Sequence, residues 1–245
     1  MNFKVDVLFP GFSGKLAVGY MGFSTWAYVE GAGHKIMLDT GFVGLRQDYE
    51  RMLALHGVRR EEIDYVLLTH LHFDHAVNVD MFPNATFVCS RAEWKYANNE
   101  ILRDKFVELP ALAVLNNSRL VLVEDGDEVL PGITAILTPG HTPGCCSYLL
   151  DQGDGTVWGL VGDAAKNRRE LERGEVQMSL DPESSAASLK RIRESCDRVL
   201  PGHDGWLTIK DGKVIAEGGN DIHMVFGQGV TVNGGQTEIV LKMDE

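Results

Sequence analysis

Thr69-His70-Leu71-His72-Phe73-Asp74-His75 reads THLHFDH, and it gathers three of the chain's eight histidines and an aspartate between residues 70 and 75. It follows the apolar run Tyr65-Val66-Leu67-Leu68, and residues 63–69 together read as a buried strand. In an extended segment His70 and His72, two apart, point the same way. Asp74 and His75 come after a turn into a helix and point elsewhere. One short stretch can therefore serve two metal positions.

Four further segments share its layout. Asp39 ends the strand-like Lys35–Leu38, and Pro139-Gly140-His141-Thr142-Pro143-Gly144 follows Thr134–Thr138. Gly162-Asp163 follows Val157–Val161, and Pro201-Gly202-His203-Asp204 follows Val199-Leu200. Loops at strand ends converge on one edge of a layered α/β fold, so these distant residues can meet. Imidazole and carboxylate suit zinc and its neighbours. His141 can complete a site with His70 and His72, and His203 one with Asp74 and His75. Asp163 can bridge them, because a carboxylate has two oxygens. Burying these groups without a cation would cost several kcal/mol. Asp39 reads either as a turn residue before Gly41 or as a carboxylate that orients a ligand histidine from behind. Thr69 is a weaker candidate for the same task. His34, His56 and His223 read as surface or satisfied histidines.

The remainder of the chain frames these segments. Phe3–Phe9 and Phe23–Val29 read as strands, with a long loop from Pro10 to Gly22. A helix is expected from Leu45 to His56, with Gly57 as its stop. Ala85–Cys89 and Arg119–Val123 read as strands, and residues 91–117 as an excursion from the sheet serving as a lid. Asp181-Pro182 starts a helix that runs to Ser195, since Asp caps and Pro suits the first helical position. Residues 1–245 read as one domain. Residues 206–245 form a β-rich C-terminal extension that adds strands or makes an oligomer contact, with a homodimer as the candidate assembly.

Lys plus Arg number 23 against 35 Asp plus Glu, a net charge of −12, which disfavours nucleic acid as a partner. No apolar run is long enough to span a membrane. Met1-Asn2-Phe3-Lys4-Val5-Asp6 has an acid where a secretory leader needs an apolar core, so a cytoplasmic location is expected. Cys89, Cys145, Cys146 and Cys196 lack disulfide or zinc-ribbon spacing and read as reduced, buried thiols. Cys145-Cys146, so near His141, keep a redox or ligand role as the alternative.

Asp39-Thr40-Gly41, the THLHFDH stretch, the Pro139–Gly144 segment, Gly162-Asp163 and Pro201-Gly202-His203 resemble the five signature segments of the metallo-β-lactamase-fold hydrolases, in that family's order. The resemblance implies an α/β fold (α+β in its layering): a four-layer αβ/βα sandwich of two mixed β-sheets with helices outside. It also implies two divalent ions per chain, zinc first, with manganese or iron as alternatives. Their ligands would be His70, His72, Asp74, His75, His141, Asp163 and His203. A metal-bridging hydroxide would then attack the carbonyl of a small-molecule substrate, with Asp74 orienting it or shuttling a proton. The wording of residues 70–76 is similar to that of N-acyl-homoserine lactonases. Those enzymes often carry a tyrosine shortly after the bridging aspartate, where this chain has Asp163-Ala164-Ala165-Lys166. Lys166 is therefore the candidate substrate contact, against its reading as a solvated surface residue. A lactone or carboxylic ester hydrolase is the expectation. Its alternatives are a thioesterase of glyoxalase II type and a one-iron persulfide dioxygenase-like oxidoreductase. The loops at 10–22 and 91–118 are expected to shape the substrate pocket.

Overall fold

A computed structural model describes residues 2–100, 103–218 and 221–242. The first half holds β1 (Lys4–Phe9), β2 (Trp26–Gly31), β3 (His34–Leu38), α1 (Tyr49–Ala54), β4 (Tyr65–Leu67), α2 (Phe73–Ala76) and β5 (Thr86–Ser90). It continues through α3 (Arg91–Glu100), α4 (Leu109–Asn116) and β6 (Arg119–Val123). The second half holds β7 (Glu128–Leu130), β8 (Ile133–Leu137), β9 (Cys146–Asp151), β10 (Val157–Gly162), α5 (Arg168–Arg173), α6 (Pro182–Ser195) and β11 (Arg198–Pro201). Then follow β12 (Leu207–Lys210), β13 (Lys213–Ala216), β14 (Ile222–Val225) and β15 (Glu238–Leu241).

Strands β1 to β6 form one sheet in chain order, and β13-β12-β11-β10-β9-β8-β7 form a second. Both are mixed: β3 to β6 run parallel beside the antiparallel β1 and β2, and β10 pairs parallel with β11 among antiparallel neighbours. Strand periodicity sorts the side chains into layers. Ala27 and Val29 of β2 face a shared core with Tyr148, Leu150 and Leu160 of the second sheet, while Trp26 and Tyr28 face Tyr49 and Leu53 of α1. On the far side, Val161 and Val199 pack against Leu171 of α5 and Leu189 and Ile192 of α6. The three cores lie helix to sheet, sheet to sheet and sheet to helix, which is the expected four-layer αβ/βα sandwich.

This layering decides where the loops go. Parallel β3 and β4 end on the same edge, and so do β10 and β11, whose last pair is Gly162 with Pro201. β8 runs antiparallel to β9, and β9 to β10, so β8 and β10 share a direction and an edge. The sheets are tied there by Cys146 N–H donating to the Thr69 carbonyl at 2.9 Å and Tyr148 O–H to the Leu68 carbonyl at 2.9 Å.

Several expected bounds move. β2 starts at Trp26 rather than Phe23, because Phe23 pairs its backbone with Phe12 across the loop. The helix expected over 45–56 narrows to α1, since Arg46 turns out to Asp80 and Asn78 and the chain bends ahead of Tyr49. α4 belongs to the core rather than to a lid, since it buries Ala111, Leu112 and Leu115 there. Asp181 caps α6 as read, accepting from Ser184 N–H at 3.1 Å. Of the C-terminal stretch, β12 and β13 extend the second sheet, whereas β14 and β15 form a two-stranded sheet of their own. No helix among the described residues is long and apolar enough to cross a membrane.

All four cysteines are free and buried. Burial, with Asp197 adding, pushes the Cys196 thiol up to about 12, and burial raises the other three as well. Since the thiolate is the nucleophile, the native protein is expected to resist a thiol-disulfide reagent at pH 8 and to expose all four thiols only in denaturant. Rapid native labelling of any one would contradict this burial.

Candidate metal centre

The motif bends where its chemistry requires. His72 is still extended, at φ −72° and ψ 156°, and the helical turn of α2 starts at Phe73. His70 and His72 therefore leave from the strand, while Asp74 and His75 leave from the first turn. None of the seven expected ligands is more than 9% exposed.

Two ligand groups meet at Asp163. Its Oδ2 lies 3.3 Å from His141 Nε2, which is 3.1 Å from His72 Nδ1. Its Oδ1 lies 3.3 Å from His75 Nε2 and 3.2 Å from His203 Nε2. Asp74 Oδ2 adds to the second group at 3.5 Å from His203 Nε2 and 3.7 Å from His75 Nε2. Donor atoms of His70, His72 and His141 all fall within 4.8 Å of one another, and so do those of Asp74, His75 and His203.

Hydrogen bonds behind the imidazoles fix their tautomers. His203 Nδ1–H donates to the Phe23 carbonyl at 2.7 Å, and His141 Nδ1–H to the Met178 carbonyl at 3.2 Å. His75 Nδ1–H donates to Asp39 Oδ2 at 2.8 Å. Thr69 O–H donates to that same oxygen at 2.9 Å, so its own oxygen is left to accept from His70 Nδ1–H at 3.2 Å. Each of these four histidines thus presents Nε2 inward. Asp39 is no mere turn residue, and Thr69 shares its task.

Residues 19–203 match the sequence signature of the Metallo-beta-lactamase superfamily. The chain belongs to that superfamily. An N-acyl homoserine lactonase of Bacillus cereus is 30% identical over 152 residues, spanning 60% of this chain and 58% of that protein. One from Agrobacterium fabrum is 31% identical over 171 residues, spanning 63% and 64%. The chain thus matches less than two thirds of the length of these relatives. Among solved structures, a Bacillus thuringiensis AiiA variant with N-decanoyl-L-homoserine bound at its active site superposes with a TM-score of 0.67. It is 20% identical, over 83% of this chain and 94% of that one. The dizinc quorum-quenching lactonase AidC superposes at 0.66 and 19% identity, over 82% and 81%. At those identities the likeness is one of fold.

The superfamily chain's own atoms test whether metals fit. His70 Nε2, His75 Nε2 and Asp163 Oδ1 are buried without a hydrogen-bond partner. Orphaned buried polar atoms cost about 1–3 kcal/mol each, and cations held by the two groups would satisfy all three. The electrostatics agree. Burial pushes His70 well below the usual imidazole range, and His75, His72 and His141 add to it. Burial also opposes a proton on His75, but Asp74, Asp39 and Asp163 outweigh it and raise its pKa well above that range. Asp163 is raised by burial and lowered more strongly by His203, His75 and His141, so it stays ionised. The donor set fits a pair of divalent ions.

Lys166 is not a solvated surface residue: it is buried, its Nζ donates to the Gln177 carbonyl at 2.6 Å, and Glu170 Oε1 lies 3.6 Å away. It lines a cavity of about 910 Å³ together with His72, Asp74, His141, Asp163 and His203. The walls of that cavity come from residues 13–22, 96–100, 103–106 and 177–180. The first three segments were expected; the last was not. No Cys stands among the metal-ligating groups of the described residues, and Cys145 packs with Val161 and Ala165 instead. Among the side chains sequence reasoning missed are Glu93 and Asp104. Buried Glu93 accepts from Leu71 N–H at 3.0 Å and Thr142 O–H at 2.7 Å, joining both halves of the site. Neither sits in a pattern that spacing could have flagged.

Gly202 has a specific duty here. A Cβ at this position would stand 2.1 Å from Asp163 Oδ1 and 2.8 Å from the Gly162 carbonyl carbon. Gly202→Ala is expected to displace the shared carboxylate and weaken metal binding about tenfold or more, read by chelator competition. Unaltered affinity would show that the carboxylate has room elsewhere.

Proposed function

We propose that the protein is a metal-dependent hydrolase that holds two divalent ions, zinc first, and cleaves a lactone or carboxylic ester. The observation that carries this reading is Asp163, whose two oxygens face two different histidine groups. His70, His72 and His141 would hold one ion, Asp74, His75 and His203 the other, and Asp163 both. Such ions, when bound, supply a water acidified toward neutral pH and a Lewis acid for the substrate carbonyl.

The chain's own residues do the remainder. Asp74 borders the cavity with its carboxylate beside His203, where it can hold the attacking water in line or pass a proton to the leaving oxygen. The Lys166 ammonium, held by the Gln177 carbonyl and Glu170, would donate to a carbonyl or carboxylate oxygen of the substrate. Tyr20, Phe73, Tyr96, Phe106, Met178 and Leu180 line the cavity and offer an apolar bed for an acyl group. The N-acyl homoserine lactonases among the relatives support a lactone as the first substrate class to try.

Elemental analysis joined to a hydrolysis screen over lactones, esters, thioesters, β-lactams and phosphodiesters tests the proposal. Two metal equivalents with lactone or ester turnover are expected. One iron per chain with oxygen consumption would sink it. Lys166→Met is expected to lower kcat about 10²-fold with metal content unchanged, as for loss of an oxyanion donor. A kcat within twofold of the parent would return Lys166 to a packing role.

A further inference from the structure

His72 differs from the other four histidines in which nitrogen is held from behind. Its Nε2 lies 3.0 Å from Asp104 Oδ2, and that oxygen also accepts from the Tyr96 hydroxyl at 2.7 Å. Asp104 Oδ1 accepts from Phe106 N–H at 2.9 Å. Three donors thus converge on one carboxylate whose side chain is only 10% exposed. A carboxylate is acceptor-only, so His72 carries its proton on Nε2 and keeps the Nδ1 lone pair free. Nδ1 is the atom 3.1 Å from His141 Nε2 within the first ligand group. His70, His75, His141 and His203 show the reverse arrangement.

Asp104 comes from a different part of the chain, 32 residues beyond His72, in the connection between α3 and α4. The backbone straps that connection to the motif. Phe73 N–H donates to the Phe106 carbonyl at 2.7 Å, and His72 and Val107 form an isolated antiparallel bridge. Tyr96, Asp104 and Phe106 also line the cavity beside the ligands. Resting on the two-metal reading above, we propose that Asp104, braced by Tyr96, is a positioning residue that turns His72 Nδ1 toward the first metal position and links that position to the cavity wall. By linkage, whatever moves the wall changes metal affinity at His72, and metal at His72 steadies the wall.

The test uses the full chain with Asp104→Asn, which keeps volume and removes the charge, and Tyr96→Phe, which removes one brace. Metal affinity is read by titration against a chromophoric chelator, and ligand geometry by the visible spectrum of the cobalt-loaded protein. Asp104→Asn is expected to weaken one equivalent about 10- to 100-fold, leave the other within a few-fold, and shift the cobalt bands. Tyr96→Phe should do the same to a smaller degree, and Asp104→Glu should recover part of the loss. Both affinities and the spectrum unchanged in Asp104→Asn would overturn the proposal. If that variant does not fold, an unchanged Tyr96→Phe overturns it and a weakened single equivalent supports it. A wild-type chain that binds one equivalent would sink the two-metal reading instead, and the effect of Asp104 is then read on that one.

Discussion

Asp163→Ala is expected to remove at least one metal equivalent and to lower kcat/KM by about 10³-fold. The reason is geometric. One carboxylate faces His141 with Oδ2 and both His75 and His203 with Oδ1, and among the described residues no other acid touches both groups. Its loss also leaves three buried imidazoles without their shared counter-charge. Those histidines outweigh burial in holding Asp163 ionised, so the alanine removes a charge the site is built around. Asp163→Asn keeps the shape and separates charge from volume; it should lie between parent and alanine. Metal content by mass spectrometry decides the matter: two full equivalents in Asp163→Ala would refute the bridging role. His223→Ala is the contrasting case. His223 is exposed and pairs with Glu238 on the β14–β15 hairpin, so metal content should not change.

Asp39→Asn should weaken metal binding about 10- to 100-fold without touching a ligand. Asp39 sits at φ +50°, in the left-handed region, which asparagine tolerates better than most residues. The backbone can therefore survive the change. The hydrogen bonds cannot. Asp39 Oδ1 accepts from Thr69 N–H at 2.8 Å, and Oδ2 from both His75 Nδ1–H and Thr69 O–H. An amide has one acceptor oxygen, so its NH2 must face either Thr69 N–H or the His75 and Thr69 donors. Facing His75, it would drive the proton to Nε2 and block the ligating atom. Through Thr69 the disturbance reaches His70 as well. Chelator competition would show the loss, and an unchanged affinity would mean that His75 is oriented by something else.

Neither effect depends on knowing the substrate, which separates what each level of description contains. The THLHFDH stretch carries its own geometry: an extended strand running into a helical turn sends neighbouring ligands to two places, and local backbone preference is enough for that. His141, Asp163 and His203 were legible because each follows an apolar strand-like run. Alternation places Ala27 and Val29 of β2 toward one core and Trp26 and Tyr28 toward another, while the four-layer arrangement was what the resemblance of the five segments implied.

The sequence by itself determined which residues were candidate metal ligands and the segments at which the chain turns, because these depend on residue chemistry and periodicity over short spans, and the resemblance of its five segments to the metallo-β-lactamase-fold hydrolases carried the fold class. Only the tertiary structure decided which nitrogen each histidine presents. That choice rests on carbonyls and carboxylates from distant loops: Phe23, Met178, Asp39 and Asp104. It also decided that α4, within the excursion, is core, that Lys166 is buried beside Glu170, and that residues 177–180 complete the cavity. Such contacts arise when strand ends from two sheets close on one edge, and single-chain spacing does not encode which loops will meet there.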